Sequence, residues 1–171
     1  MIKLKSILAE IGDMSVPGYH WTTSTVPSNS TSDNTYKFKS KSGLTYEVLF
    51  SGRYGLYDVS FYTISDDGHE SGTSQVTNMG EQYAIMSTVV DIIQDFRKEA
   101  PEHIEQLDIL PDKSGYDYSG FDNNRRYKMY AAYIEKLRWS LGVKDVEYQA
   151  DGLTIYFDDD HQFDSTGIKD K

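Results

Sequence analysis

Three short runs of alternating side chains, separated by glycine-containing turns, constrain this chain most. Tyr36 and Phe38 alternate with Lys37 and Lys39 before Ser42-Gly43. Tyr46, Val48 and Phe50 alternate with Thr45, Glu47 and Leu49 before Ser51-Gly52, and Tyr57, Val59 and Phe61 then alternate with Asp58, Ser60 and Tyr62. A period of two sends successive side chains to opposite faces of a strand, so each run offers one face to a core. Three such runs joined by short turns predict an antiparallel meander. The polar stretch 65–74 is predicted to be a loop.

The second half changes period. Ile85, Val89, Ile92 and Phe96 share one helical face, with Met86, Val90 and Ile93 beside them, and Pro101 lies past the end. That predicts a broadly buried helix over 82–99. Ile104, Leu107 and Ile109 predict a strand closed by Pro111. The Gly-, Tyr- and Asp-rich loop 112–124 follows. Tyr127, Tyr130, Ile134, Leu137 and Leu141 then step by three and four, with Asp122 or Asn123 placed to cap the start of a helix and Gly142 its end. Val143–Gln149 and Leu153–Phe157 flank Asp151-Gly152, a hairpin signal.

The ends read differently. Ile2, Leu4, Ile7, Leu8 and Ile11 predict a short amphipathic helix ended by Gly12. Residues 14–35 are rich in Ser, Thr, Asn, Gly and Pro, a composition too poor in apolar area to order itself. Tyr19, His20 and Trp21 stand out in it as an aromatic anchor. The predicted organisation is therefore an N-terminal helix and flexible arm over 1–35, one core domain over 36–157, and a polar tail over 158–171. The predicted fold class is α+β: an α/β sandwich with helices packed on an antiparallel-rich mixed sheet.

Composition excludes several function classes. The 171 residues contain no cysteine, which removes disulfides, thiolate metal sites and cysteine nucleophiles. No apolar run reaches the ~20 residues of a membrane-spanning helix, and Glu10 and Asp13 interrupt any signal-peptide core. Seventeen Lys and Arg against 27 Asp and Glu give a net charge of −10, which repels nucleic-acid phosphates. General nucleic-acid binding is not expected. An acidic decoy for nucleic-acid-binding proteins remains one reading of the charge; solubility is the plainer one.

Few side chains fall into chemical constellations. His20, His69, His103 and His161 form no paired motif. Asp66-Asp67-Gly68-His69-Glu70 and Asp158-Asp159-Asp160-His161 supply hard ligands without the alternate spacing of a calcium loop, and are read as solvated charge, with no metal expected. Nucleophile elbows and phosphate-cradling glycine loops are absent. Arg125 and Arg126, with Lys128, either hold an anion at a helix start or pair with Asp117 or Asp122. Fourteen tyrosines are many for this length. Tyr127 and Tyr130 fit a core by spacing, which leaves Tyr116, Tyr118 and Tyr133 for a contact surface.

Two resemblances follow from particular residues. Met1-Ile2-Lys3-Leu4-Lys5-Ser6-Ile7-Leu8, Tyr36-Lys37-Phe38, Ser42 to Val48, Met86 to Val90 and Asn124-Arg125-Arg126-Tyr127-Lys128-Met129-Tyr130 resemble the cadence of tailed-bacteriophage proteins of unassigned role. From the meander at 36 to the hairpin at 157, the chain also resembles the GCN5-related N-acetyltransferase fold. That family runs from a meander into a helix, a strand, a second helix and closing strands. The likeness puts Tyr130 at the family's general acid and Asn123 near its second helix. In the cofactor loop, Thr77-Asn78-Met79-Gly80-Glu81-Gln82 keeps only Gly80 of the pyrophosphate pattern, and Glu81 adds like charge.

Together these imply a phage-encoded, non-enzymatic protein that uses no cofactor and acts through protein contacts. The expected surfaces are Tyr19, His20, Trp21, Tyr116, Tyr118, Arg125, Arg126 and Tyr133. The expected partner is a virion or host protein, with a homo-oligomer compatible, and the location is the virion or the host cytoplasm. Two alternatives stand beside this. One is acyl transfer from acetyl-coenzyme A to an amine, through Tyr130, Gly80 and Asn123. The other is inhibition of a host defence or nucleic-acid-binding protein.

Overall fold

The three alternating runs form the middle of the sheet in the computed structural model, which describes residues 16–27, 32–65, 70–71, 81–100, 103–110, 131–136, 138, 141–149 and 152–158. The strands are β1 (Trp21–Pro27), β2 (Ser32–Lys39), β3 (Thr45–Arg53), β4 (Leu56–Ile64), β5 (Glu70–Ser71), β6 (Gln106–Leu110), β7 (Val143–Tyr148) and β8 (Leu153–Phe157). One long helix, α1, spans Gln82–Glu99, and residues 131–136 are helical. Among the described residues no helix is long and apolar enough to cross a membrane.

The sheet runs β1-β2-β3-β4-β6-β8-β7, with the short β5 paired to the far end of β4. Every neighbouring pair is antiparallel except β4 and β6. Parallel neighbours need a long connection, and α1 lies between these two in the chain. The fold is therefore mixed α+β, dominated by a mostly antiparallel sheet.

Period-two alternation sorts the faces. Tyr36 and Phe38, Tyr46, Val48 and Phe50, Tyr57 and Val59, Leu107 and Ile109, and Leu153, Ile155 and Phe157 are all buried on one face. The rings of Phe38, Tyr46 and Phe61 stack across three strands, at 5.1 and 5.3 Å between centroids. Against this face α1 buries Ile85, Met86, Val89, Val90, Ile92, Ile93 and Phe96, so the helix is enclosed on more than one side. Tyr133 of the helical residues 131–136 donates its hydroxyl to the Tyr83 carbonyl at 3.3 Å, setting that segment beside α1. It leaves through Gly142 at φ +62°, with the Val143 amide bonded to the Arg138 carbonyl at 2.9 Å. That is the six-to-one closure of a glycine-ended helix. The Arg97 guanidinium lies 3.6 Å from the Phe157 ring centroid and donates to the Leu141 carbonyl, tying α1 to β8 and to this exit.

Four expectations need correction. The sandwich is met only in part: the described helical segments pack on one face, while the other carries polar side-chain ladders. The arm over 14–35 is not a free linker, because Trp21–Pro27 pairs with Ser32–Phe38 along its whole length. A boundary at 36 cuts through β2. Polar composition misled there because an edge strand gets its order from ladder hydrogen bonds and one anchored end, not from its own apolar area. The stretch 65–74 contains the two-residue strand β5, which pairs with Thr63 and Ile64. Finally, β3 does not turn at Ser51-Gly52 but runs on to Arg53, and the turn is Tyr54-Gly55. Gly52 serves a close approach instead: a Cβ there would sit 2.1 Å from the Leu56 carbonyl oxygen.

The predicted N-terminal helix, the loop 112–124, most of the helix beginning near Tyr127 and the polar tail from 159 lie outside the described residues.

Candidate functional site

Three places on the described surface could carry function: the segment leading into β1, the open face of the sheet, and the tip of the β3–β4 hairpin.

The first holds the aromatic trio. The Tyr19 ring stacks on Phe38 at 6.1 Å, and its amide donates to Thr88 Oγ1 at 2.7 Å. Thr88 in turn donates to the Ala84 carbonyl at 2.6 Å, so the hydroxyl bridges α1 and the entering chain. Trp21 packs against the core cluster, and His20 is exposed. Tyr19 and Trp21 therefore anchor this chain to itself, which corrects their assignment to a partner surface. Tyr133 is corrected too. It is 1% exposed, and burial together with the neighbouring Tyr83 pushes its phenol up to about 12. The stripe read through Tyr127, Tyr130 and Ile134 left Tyr133 over for a contact surface, but α1 lies beside residues 131–136 and encloses it. Tyr116, Tyr118, Arg125, Arg126, Tyr130, Asn123 and Gly80 lie outside the described residues, as do Asp66 to His69 and Asp159 to His161.

The open face carries two polar networks. Lys37 pairs with Glu47 at 2.9 Å, and Tyr62 donates to the same carboxylate. Farther across, Asp58 and Asp108 stand opposite each other in the parallel β4–β6 register. They line a shallow depression of about 270 Å³ with Gln106, Gln149, Thr154 and Tyr156. Thr154 Oγ1 donates to Asp108 Oδ1 at 2.6 Å, Gln106 to Oδ2 at 2.9 Å, and Gln149 to Thr154 at 3.1 Å. Partial desolvation, the hydrogen bond to Glu147 and the charges of Glu147, Asp108 and Asp145 raise the Tyr156 phenol. Both Asp108 oxygens already accept bonds, and Asp58 is exposed. Among the described residues no three His, Asp or Glu side chains converge on one point. This network satisfies itself as a solvated sheet surface does.

The hairpin tip behaves otherwise. Tyr54 and Gly55 have φ of +56° and +79°, the pair of left-handed residues that matches the twist of a two-residue hairpin. The Gly55 carbonyl accepts the amides of Glu105 and Gln106 at 2.9 and 3.0 Å, which fixes the turn against the start of β6. A Cβ on Gly55 would lie 2.6 Å from the His103 carbonyl oxygen. At the first turn position Asn is the residue at ease in this conformation; a tyrosine there costs about 1 kcal/mol. Yet the Tyr54 side chain is 77% exposed, with the Arg53 guanidinium 5.6 Å from its ring centroid. Leu56, across the turn, is 50% exposed. An aromatic, an arginine and a leucine thus project together. Sequence reading missed them because it closed the strand at Gly52; the signal available was Gly55 following a residue that turns do not favour.

Compared with known protein families, curated proteins and solved structures, the chain finds no match.

Proposed function

We propose that this protein acts by contact with another protein through the Arg53, Tyr54 and Leu56 tip, as a non-enzymatic component of a bacteriophage particle. Tyr54 carries the reading. A large aromatic held in a left-handed turn, exposed and flanked by Arg and Leu, has little to gain within its own chain, and Tyr and Arg are the side chains that dominate protein interfaces. The phage setting rests on the sequence resemblance at the N-terminus, the meander and the Asn124 to Tyr130 stretch.

The test is the copy number of this chain in purified particles, for phage carrying the natural sequence and for phage carrying Tyr54→Asn. The variant is expected to be more stable by about 0.5–1 kcal/mol, since Asn adopts the turn at lower cost. Its incorporation is expected to fall about tenfold or more. Undiminished incorporation removes the tip from the contact. A natural chain absent from particles moves the contact to a host protein, as the inhibitor reading requires.

A second reading, acyl transfer from acetyl-coenzyme A, is favoured by one observation. The order of meander, α1, β6, helical segment and closing hairpin is the order that the acetyltransferase resemblance implies. Two features oppose it. Glu81 sits at the N-terminus of α1, its carboxylate accepting from Ser42 at 3.0 Å, where a pyrophosphate would need positive potential. Beyond the parallel pair, at the carboxyl end of β4 where α/β ligands enter, β5 is already paired. Saturating acetyl-coenzyme A, at about 100 times its dissociation constant, stabilises a true binder by about 2.7 kcal/mol. No thermal shift at millimolar cofactor is expected here; a shift together with turnover lost in Tyr130→Phe would establish the enzyme.

A further inference from the structure

The edge strand β1 has one neighbour among the described residues, β2, so every second residue turns an amide and a carbonyl outward. Edges of this kind are normally blunted by charge, bulges or shortness. The opposite edge is blunted in that way: β7 carries Lys144, Asp145 and Glu147 and a register break between Val143 and Asp145. β1 is not. Its seven residues, Trp-Thr-Thr-Ser-Thr-Val-Pro, hold no charge in a chain of net −10, and their ladder with β2 is unbroken. Thr22, Thr23 and Ser24 are exposed.

We propose that β1 is the seam of a two-fold homodimer, in which the strand pairs antiparallel with the same strand of a second copy, centred on Ser24. The strand is close to self-complementary about that residue. Ser24 falls opposite its own copy, Thr23 opposite Thr25 of the second chain, Thr22 opposite Val26 and Trp21 opposite Pro27. No like charges meet across the seam, since the strand carries none. The two β2 strands, which carry Asp33, Lys37 and Lys39, would then stand three strand spacings or about 14 Å apart, beyond the roughly 8 Å screening length at physiological salt. An isologous contact of this kind closes on itself, so one continuous sheet forms and no filament. The proposal is independent of the hairpin tip.

The absence of cysteine makes the test clean. Sedimentation of the full chain is expected to give a concentration-dependent dimer of the 19.5 kDa protomer. Ser24→Cys is expected to form a disulfide-linked dimer under mild oxidation, because residues opposite each other in the seam have the required Cα separation of about 4.4–6.8 Å. Thr23→Cys and Thr25→Cys should cross-link with each other when mixed but poorly alone. Tyr148→Cys on the far edge should give no disulfide-linked dimer. Ser24→Lys, which puts two cations face to face without touching the fold, should weaken dimerisation by roughly tenfold or more. A natural chain that sediments as a monomer up to about 0.1 mM overturns the proposal. So does a dimer whose dissociation constant Ser24→Lys leaves unchanged.

Discussion

Replacing Phe96 by alanine is expected to lower the stability of this protein by about 3–5 kcal/mol, the cost of emptying a large aromatic site in a core. Phe96 is 2% exposed near the end of α1. Its ring lies 4.0 Å from that of Phe50, nearly parallel at 17°, and meets Tyr57 edge-on at 5.0 Å and 76°. Phe50 and Tyr57 belong to β3 and β4 close to their hairpin, so one side chain clamps the helix to both strands that carry the Tyr54 tip. A domain of this kind has about 5–15 kcal/mol in all, so the loss takes roughly a fifth of it or more. In urea the midpoint should fall with little change in slope. Phe96→Leu keeps most of the volume and should cost about 1.5 kcal/mol or less. If Phe96→Ala costs under about 1 kcal/mol, the three-ring clamp is not what holds α1 to the sheet.

The second large effect is a loss of stability in alkali. Burial raises the Tyr36 phenol well above its ordinary value, with the Asp95 carboxylate adding to the shift, and holds Tyr133 at about 12. Below pH 10 both phenols are protonated in the folded and the unfolded chain, so the contribution is complete and constant. Above pH 10 the unfolded chain loses these protons while the folded chain keeps them, and stability falls by about 1.4 kcal/mol per pH unit for each group. For Tyr133 the loss ends near its folded value, after about 3 kcal/mol; for Tyr36 it continues higher. Urea unfolding followed from about pH 9 to 12 should show this slope. Tyr36→Phe with Tyr133→Phe should flatten it; in neutral solution the double variant loses about 1.5–3 kcal/mol, because Tyr36 gives up its hydrogen bond to the Asp95 carboxylate while Tyr133 gives up only one long bond of 3.3 Å. A double variant with an unchanged slope would place the alkaline loss elsewhere, in the repulsion of a chain that is already acidic.

The limits of the sequence reading fall along one physical line. Tyr36-Phe38, Tyr46-Val48-Phe50 and Tyr57-Val59 were legible as strands because alternation is written into consecutive residues. α1 was legible because its apolar residues repeat at three and four over eighteen positions. The β7–β8 hairpin was legible through Asp151-Gly152. The misplaced turn at Ser51-Gly52 came from two glycines three residues apart with different tasks, one admitting the Leu56 carbonyl and the other adopting positive φ. The candidate site was barely legible: Tyr54 looks ordinary in the sequence, and its meaning lies in its φ and its exposure.

The sequence by itself determined the local elements, the absence of thiol chemistry and a net charge of −10, because periodicity and composition can be read from the residues alone. Only the tertiary structure decided that Trp21–Pro27 is a strand, that Tyr19 and Tyr133 serve the core, that β4 and β6 run parallel and that Tyr54 is exposed at a hairpin tip. The contacts that decide them reach far along the chain, as with Thr88, 69 positions from Tyr19, and Phe38, 17 positions from Trp21. Burial and strand pairing are set by what the rest of the chain brings alongside.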